Sequence, residues 1–193
     1  MSTERRSAAK PAPGEPPVPE SLPAAPDRAY VDFMSHAYAM ELDASERYAE
    51  FADQMEVHNN IEVAELFRKL SEIEGLHARQ ILQEMGWPRM PEPVFPGQWP
   101  DAEPPETAPV TELHYLMQPY QALELALRNE ERAVMFFKRI ARAKRTPPEI
   151  RNLAESMAKD EQEHKRLIRD WMKKVPKPDP DWNRDPDPPV LGD

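Results

Sequence analysis

Three features predict an all-α fold, an antiparallel four-helix bundle made of two helical hairpins joined by a long proline-rich crossover. They are the distribution of the prolines, the helical spacing of the apolar residues, and an internal repeat. Of 24 prolines, seven precede Asp27, nine lie from Pro88 to Pro119, six lie from Pro176 to Pro189, and Pro147 and Pro148 fall between. Proline lacks a backbone donor and clashes with the preceding helical turn, so helices run where it is absent. The division that follows is a proline-rich segment at 1–26, expected to be disordered, a bundle at 27–175 with its connection at 86–118, and a proline-rich tail at 176–193, expected to be disordered or to track the surface.

Each element has its own signals. The first helix, about Arg28–Val57, carries a stripe of Phe33, Ala37, Met40, Ala44, Tyr48 and Phe51. The run Asn59-Asn60-Ile61-Glu62 resembles an N-cap with an acid three residues on, so a second helix begins there. It runs to Met85, and Gly86-Trp87-Pro88 stops it; its stripe is Val63, Leu66, Phe67, Leu70, Ile73 and Ile81. A loop as long as 86–118 is rare in a compact domain, and it suits the crossover between two hairpins, with Phe95 and Trp99 as its anchors. The third helix is expected over about Pro119–Lys144, entered through a turn near Glu112–Met117. Thr146-Pro147-Pro148-Glu149 predicts a fourth helix with Thr146 as cap, continuing to about Lys174.

The halves repeat. A shift of 87 residues places Leu66 on Leu153, Glu74 on Glu161, His77 on His164 and Ile81 on Ile168, and a shift of 89 places Glu41 on Glu130, Ala44 on Ala133 and Tyr48 on Phe137. The difference falls in the turn within each hairpin. Residues three apart share a helix face, so Glu74 with His77, and Glu161 with His164, can each reach one ion. A Glu from each of two helices plus Glu-x-x-His from each of the others is the bundle pattern for a carboxylate-bridged dimetal site. A single Glu on an acidic helix is ordinarily a solvated charge, and chance alone gives about 0.6 Glu-x-x-His matches in a chain of this composition. Registration of both matches on the repeat, each opposite a Glu, is what singles out Glu41, Glu74, His77, Glu130, Glu161 and His164. Carboxylates with one imidazole per metal suit two iron ions, with manganese as the alternative.

The neighbours carry less. Glu46, Glu50, Glu72, Glu131, Glu155 and Glu163 are expected to face solvent, since Glu46 lies about 140° and Glu131 about 100° round the helix from a candidate ligand. Tyr48 returns to the face of Glu41 and is either a core tyrosine or a hydrogen-bond partner of a ligating carboxylate. His36, His58 and His114 have no counterpart in the repeat and are read as surface or capping residues. Met34, Met40, Met55, Met135, Met157 and Met172 are read as packing.

The 193 residues carry a formal net charge of −10, from 35 acidic and 25 basic side chains. Such a surface disfavours nucleic acid and anionic membranes. No apolar run approaches the ~20 residues of a membrane span, and 1–26 lacks a signal-peptide core, so the chain is read as cytoplasmic. With no cysteine, disulfides, thiolate ligands and thiol nucleophiles are excluded, leaving Glu, Asp and His as metal ligands.

On Glu41-x-x-Ala44-x-x-Arg47-Tyr48, Glu74-x-x-His77-Ala78-Arg79, Glu130-x-x-Ala133-x-x-Phe136-Phe137 and Glu161-x-x-His164, the chain resembles the rubrerythrin branch of the ferritin-like diiron-carboxylate superfamily. The resemblance covers about 29–171 apart from the connection. It implies that the six residues hold two irons, with Glu74 and Glu161 as bridges and no catalytic group beyond the ligands. It also implies oxidation of Fe(II) by hydrogen peroxide or dioxygen, in a homodimer or higher homo-oligomer. Iron storage or delivery, as a shell or its cargo, and hydroxylation of an organic substrate are the alternatives. Two departures stand out. The further Glu that rubrerythrins usually carry three residues after the third-helix ligand is Ala133 here. The four-cysteine rubredoxin module is missing, so peroxidase turnover requires an external electron donor.

Overall fold

The structure, a computed structural model, describes residues 27–89 and 105–185. Four helices form: α1 (Arg28–Val57), α2 (Ile61–Met85), α3 (Pro119–Arg142) and α4 (Pro148–Met172), with a short 3₁₀ turn at Val110–Glu112 before α3. Among the described residues there is no strand. The helices pair as α1 with α2 and α3 with α4, so the predicted ferritin-like four-helix bundle of two hairpins is what forms. Phe95, Trp99, residues 1–26 and residues 186–193 lie outside the described residues.

The helix limits follow the sequence, but two caps do not. Asp27 starts α1 by accepting a hydrogen bond from the Ala29 backbone N–H at 3.3 Å. The α2 N-cap is Asn60, not Asn59, which takes a left-handed φ of 57° in the turn. The Asn60 amide makes no cap bond; it donates across the bundle to Met117 O at 2.6 Å and Tyr115 O at 3.3 Å. Thr146 likewise fails as a cap. Its hydroxyl donates back to Ile140 O at 2.8 Å, closing the end of α3, and α4 begins at Pro148 with Pro147 before it. At Gly86, the expected stop of α2, φ is 63°, a conformation that costs glycine little and that lets Trp87 N–H reach Leu82 O at 2.9 Å.

Two apolar clusters fill the bundle, one toward each end. The first gathers Tyr48, Phe51 and Met55 of α1 with Val63, Phe67 and Leu70 of α2, Leu123 and Leu125 of α3, and Ile168 of α4. The second gathers Phe33 and Met40 of α1 with Ile81 of α2, Phe137 and Ala141 of α3, and Ile150 and Ala154 of α4. The order of these residues along each helix gives the topology. α2 and α3 both run from the first cluster to the second, and α1 and α4 run the opposite way. The end of α2 therefore lies a full bundle length from the start of α3, about 36 Å for a helix the size of α3. The long connection is a geometric requirement of this arrangement.

The described part of the crossover is packed, not merely tethered. Ala108 and Met117 are buried in the first cluster, and Leu113 lies against it. The tail follows the surface as far as residue 185: Trp182 packs on the first cluster, and the Tyr115 hydroxyl donates to Asp185. Met34, Met40 and Met55 are buried, as expected. Met135 is not; at 61% exposed it belongs to the solvent face of α3. Ile73 and Leu66 are only half-buried.

Phe67 is fully buried, stacked 6.0 Å from Tyr48 and set edge-on 5.3 Å from Phe51. Truncating it removes its ring contacts with α1 and leaves a cavity in the first cluster. Phe67→Ala is expected to lower unfolding stability by about 3–5 kcal/mol, which chemical denaturation followed by circular dichroism measures. A loss below about 1 kcal/mol would show that this cluster is not the one holding the hairpins together.

Candidate metal centre

Between the two clusters the helices carry polar side chains inward. Glu41 follows Met40 on α1, Glu74 and His77 lie between Leu70 and Ile81 on α2, Glu130 lies between Ala126 and Ala133 on α3, and Glu161 and His164 lie between Ala158 and Ile168 on α4. Each is one turn beyond an apolar neighbour on the buried stripe, so the face that builds the core also delivers these groups to its middle. Close helix approach helps at Gly75, where a β-carbon would stand 3.2 Å from the Ser45 hydroxyl oxygen. That hydroxyl donates to Ser71 O at 2.8 Å, tying α1 to α2 beside the site.

All six predicted residues come together, and the duplication is visible in their distances. His77 Nδ1 lies 3.0 Å from Glu74 Oε2 and 3.5 Å from Glu41 Oε2. In the other half, His164 Nδ1 lies 2.9 Å from Glu161 Oε2 and 3.6 Å from Glu130 Oε2. The two imidazole rings stack face to face, centroids 4.4 Å apart and planes within 4°. Ligand atoms cluster within 4.8 Å of one another in three groups: Glu74, His77 and His164; Glu130, Glu161 and His164; and Glu41, Glu74 and Glu106.

Glu106 is the member that the sequence did not reveal. It comes from the crossover, is 0% exposed, and neither of its carboxylate oxygens has a hydrogen-bond partner among the described residues. Nothing in its surroundings marks it out in the sequence, because a proline-rich connection has no periodicity from which to read direction. Arg132 and Asn129 were missed as well. The Arg132 guanidinium donates to Pro105 O at 3.0 Å, Thr107 O at 2.7 Å and Asn129 Oδ1 at 2.5 Å. Asn129 in turn donates from its amide to the Tyr48 hydroxyl at 2.9 Å. Tyr48 therefore has an amide, not a carboxylate, as its partner. It is joined to the crossover through Asn129 and Arg132.

Of the acids expected to face solvent, Glu46, Glu50, Glu72, Glu155 and Glu163 do so. Glu131 is half-buried and pairs with Lys165 and Arg169, both at 3.1 Å. His36 Nδ1 approaches Asp32 O at 2.7 Å, and His58 and His114 lie beside Tyr115, away from the site.

Electrostatics set the protonation of the cluster. Burial raises the Glu41 carboxyl to about 7 and the Glu130 carboxyl to about 8, against the contacts with His77 and His164 that favour their charged forms. Burial, then the carboxylates of Glu41 and Glu161, push Glu106 well up. For the histidines burial works in the opposite sense, but contacts with Glu41 and Glu74 hold His77 at about 10, and those with Glu130 and Glu161 hold His164 at about 11. Burial and the carboxylates of Glu130 and Glu74 keep Tyr48 a neutral phenol. Carboxylate oxygens of Glu41, Glu106 and Glu130 are buried without a hydrogen-bond partner among the described residues, which is costly unless a cation or proton lies against them. Oxygen-rich donors with two imidazoles fit a pair of iron or manganese ions.

A cleft of about 320 Å³ reaches this cluster; Glu41, His77, Glu161 and His164 line it, with Glu84, Asp160 and Glu163 beside them. No helix among the described residues is long and apolar enough to cross a membrane.

The comparisons with known proteins agree with this geometry. Comparison with curated proteins found no match. In a solved structure, an uncharacterized conserved protein from Magnetospirillum magnetotacticum MS-1 is similar, at 36% identity and a TM-score of 0.57 over 77% of this chain and 97% of the other. The rubrerythrin family model matches residues 32–96 and 121–184, two segments that carry all six residues of the repeat, and the chain belongs to the rubrerythrin family.

Proposed function

We propose that Glu41, Glu74, His77, Glu130, Glu161 and His164 hold two metal ions, iron before manganese, and that the protein oxidises Fe(II) with hydrogen peroxide or dioxygen. One observation carries this reading: two matched half-sites face each other in the middle of the bundle, with buried carboxylate oxygens that have no hydrogen-bond partner among the described residues. Surface charges or core packing alone do not explain such a pair. When bound, an iron pair supplies the electrons for reducing the oxidant. The chain's own side chains do the rest. Glu74 and Glu161, both almost fully buried, would be the carboxylates shared by the two metal positions. His77 and His164 orient through the carboxylates beside them, and the two apolar clusters exclude water from both ends. Glu84, Asp160 and Glu163 give the cleft a negative lining that draws cations inward. With no cysteine in the chain, repeated turnover takes its electrons from an external donor.

Metal has to displace protons here. Glu41, Glu130, His77 and His164 all hold protons more tightly in the folded chain than their ordinary values of 4.5 and 6.5 allow. Each such group stabilises the metal-free fold fully below its unfolded value, and that contribution is lost as pH rises through 7, 8, 10 and 11. The melting temperature of the metal-free protein is therefore expected to fall steadily from about pH 5 to about pH 9. Metal loading, which replaces those protons, should flatten or reverse the slope. A metal-free profile that rises across this range would contradict the protonation scheme.

The function itself is tested by anaerobic reconstitution with Fe(II), followed by metal analysis and a chelator assay for remaining Fe(II) after peroxide or dioxygen is added. Two irons per chain, and rapid loss of Fe(II), are expected of the native protein. Glu74→Ala and Glu161→Ala should each retain less than one iron and lose the reaction. Native protein that binds less than one metal per chain, or bound Fe(II) inert to both oxidants, would contradict the reading.

A further inference from the structure

The repeat accounts for six ligands, three from each hairpin, and it predicts two equivalent metal positions. Glu106 lies outside the repeat, on the crossover, yet its carboxylate is within 4.8 Å of oxygens of both Glu41 and Glu74. Among the described residues, the group of Glu130, Glu161 and His164 is joined by no such further acid. The extra oxygen donor therefore groups with Glu41 and Glu74.

Three observations show that Glu106 is placed, and not merely trapped. It is 0% exposed and both of its oxygens are buried without a hydrogen-bond partner among the described residues. Its backbone is fixed on both sides, since the Arg132 guanidinium takes the carbonyls of Pro105 and Thr107 at 3.0 and 2.7 Å. Ala108, two residues on, is fully buried in the first cluster. A segment held this way cannot swing the carboxylate to water without breaking the Arg132 contacts. A buried carboxylate that the backbone directs at two other carboxylates is destabilising unless a proton or a cation joins them.

We propose that Glu106 is a seventh protein ligand, given by the crossover to the metal position at Glu41 and Glu74, and that it makes the two metal positions inequivalent. This rests on the dimetal reading above. Ala133, fully buried one turn beyond Glu130, is too small to offer a donor from α3, so the additional carboxylate arrives from the connection instead of from a helix. An added anionic oxygen favours the harder, more highly charged ion, so the position at Glu41 is the one that better retains ferric iron. Arg132 acts as a positioning residue, because it holds the peptide on either side of the ligand.

Co(II) titration of metal-free native protein and of Glu106→Gln tests this directly. Binding is measured against a competing chelator, and visible absorption reports the coordination of the cobalt. The native chain is expected to bind two Co(II) with unequal affinities. Glu106→Gln, which keeps the side-chain volume, should weaken one of them at least ten-fold, change its absorption spectrum and leave the other unchanged. Equal binding curves and spectra for the two proteins would overturn the assignment of Glu106 while leaving the dimetal site standing. Failure of the native protein to bind two Co(II) would overturn the dimetal reading itself. If Glu106→Gln does not melt cooperatively, Glu106→Asp replaces it: the charge is kept and the carboxylate withdrawn by one methylene. The same ten-fold loss supports the proposal, and native affinity overturns it.

Discussion

Five carboxyl groups, those of Glu41, Glu74, Glu106, Glu130 and Glu161, are almost completely buried at the middle of a bundle barely four helices wide. Removing even one carboxylate from water is expensive, and holding several together adds their repulsion. Everything around them can be read as a response to that requirement. Two histidines supply positive charge when protonated and ligand nitrogens when not. Protons settle on Glu41 and Glu130 well above the ordinary carboxylate range. Apolar clusters on either side hold the helices rigid enough that the acids cannot escape to the surface. A sequence that only had to fold would have filled this layer with apolar side chains, as it does one turn away at Ala37, Leu70, Ala126 and Ala158.

Duplication is the economical way to build such a centre. One hairpin provides a carboxylate from its first helix and a Glu-His pair from its second. Two hairpins, packed with their polar faces together, bring the matched sets into contact across a pseudo-twofold axis. The near-equality of the distances in the two halves, 3.0 and 3.5 Å against 2.9 and 3.6 Å, is the trace of that symmetry. Tyr48 and Phe137, equivalent in the repeat and both 1% exposed, show where it breaks. Only the tyrosine has a hydroxyl to take up, and Asn129 does so, joining α1 to α3 and onward through Arg132 to the crossover.

The fold was legible because its signals are local and repeated: apolar stripes with a helical period, prolines confined to the connections, Gly86 at a helix end. The six residues of the repeat were legible for the same reason, since a helix converts spacing into direction. Caps were less so. Asn60 and Thr146 have the right side chains for capping, but a distant carbonyl, Met117 O, claims the first and the end of α3, at Ile140 O, claims the second. Glu106 was not legible at all. In a connection without regular structure, the direction of a side chain depends on contacts far away in sequence, here on an arginine of α3 that no pattern links to residue 106.

The same parallel arrangement of α2 and α3 that makes the crossover necessary also takes it past the middle of the bundle, where the acids are. A shorter connection would have joined neighbouring helix ends and never approached the metal position. Once the chain has to travel that distance, any residue at its midpoint can be turned inward at small cost in topology, provided something fixes the backbone there. Arg132, adjacent to the buried stripe that carries Glu130 and Ala133, does this with a single side chain that reaches both sides of Glu106. On the proposed reading, the connection becomes part of the metal centre. Symmetry from the repeated hairpins would give two positions for metal, and the unrepeated segment between them would make one position different from the other. A centre whose two ions differ in charge environment can hold them in different oxidation states, which a symmetric pair of half-sites does not favour.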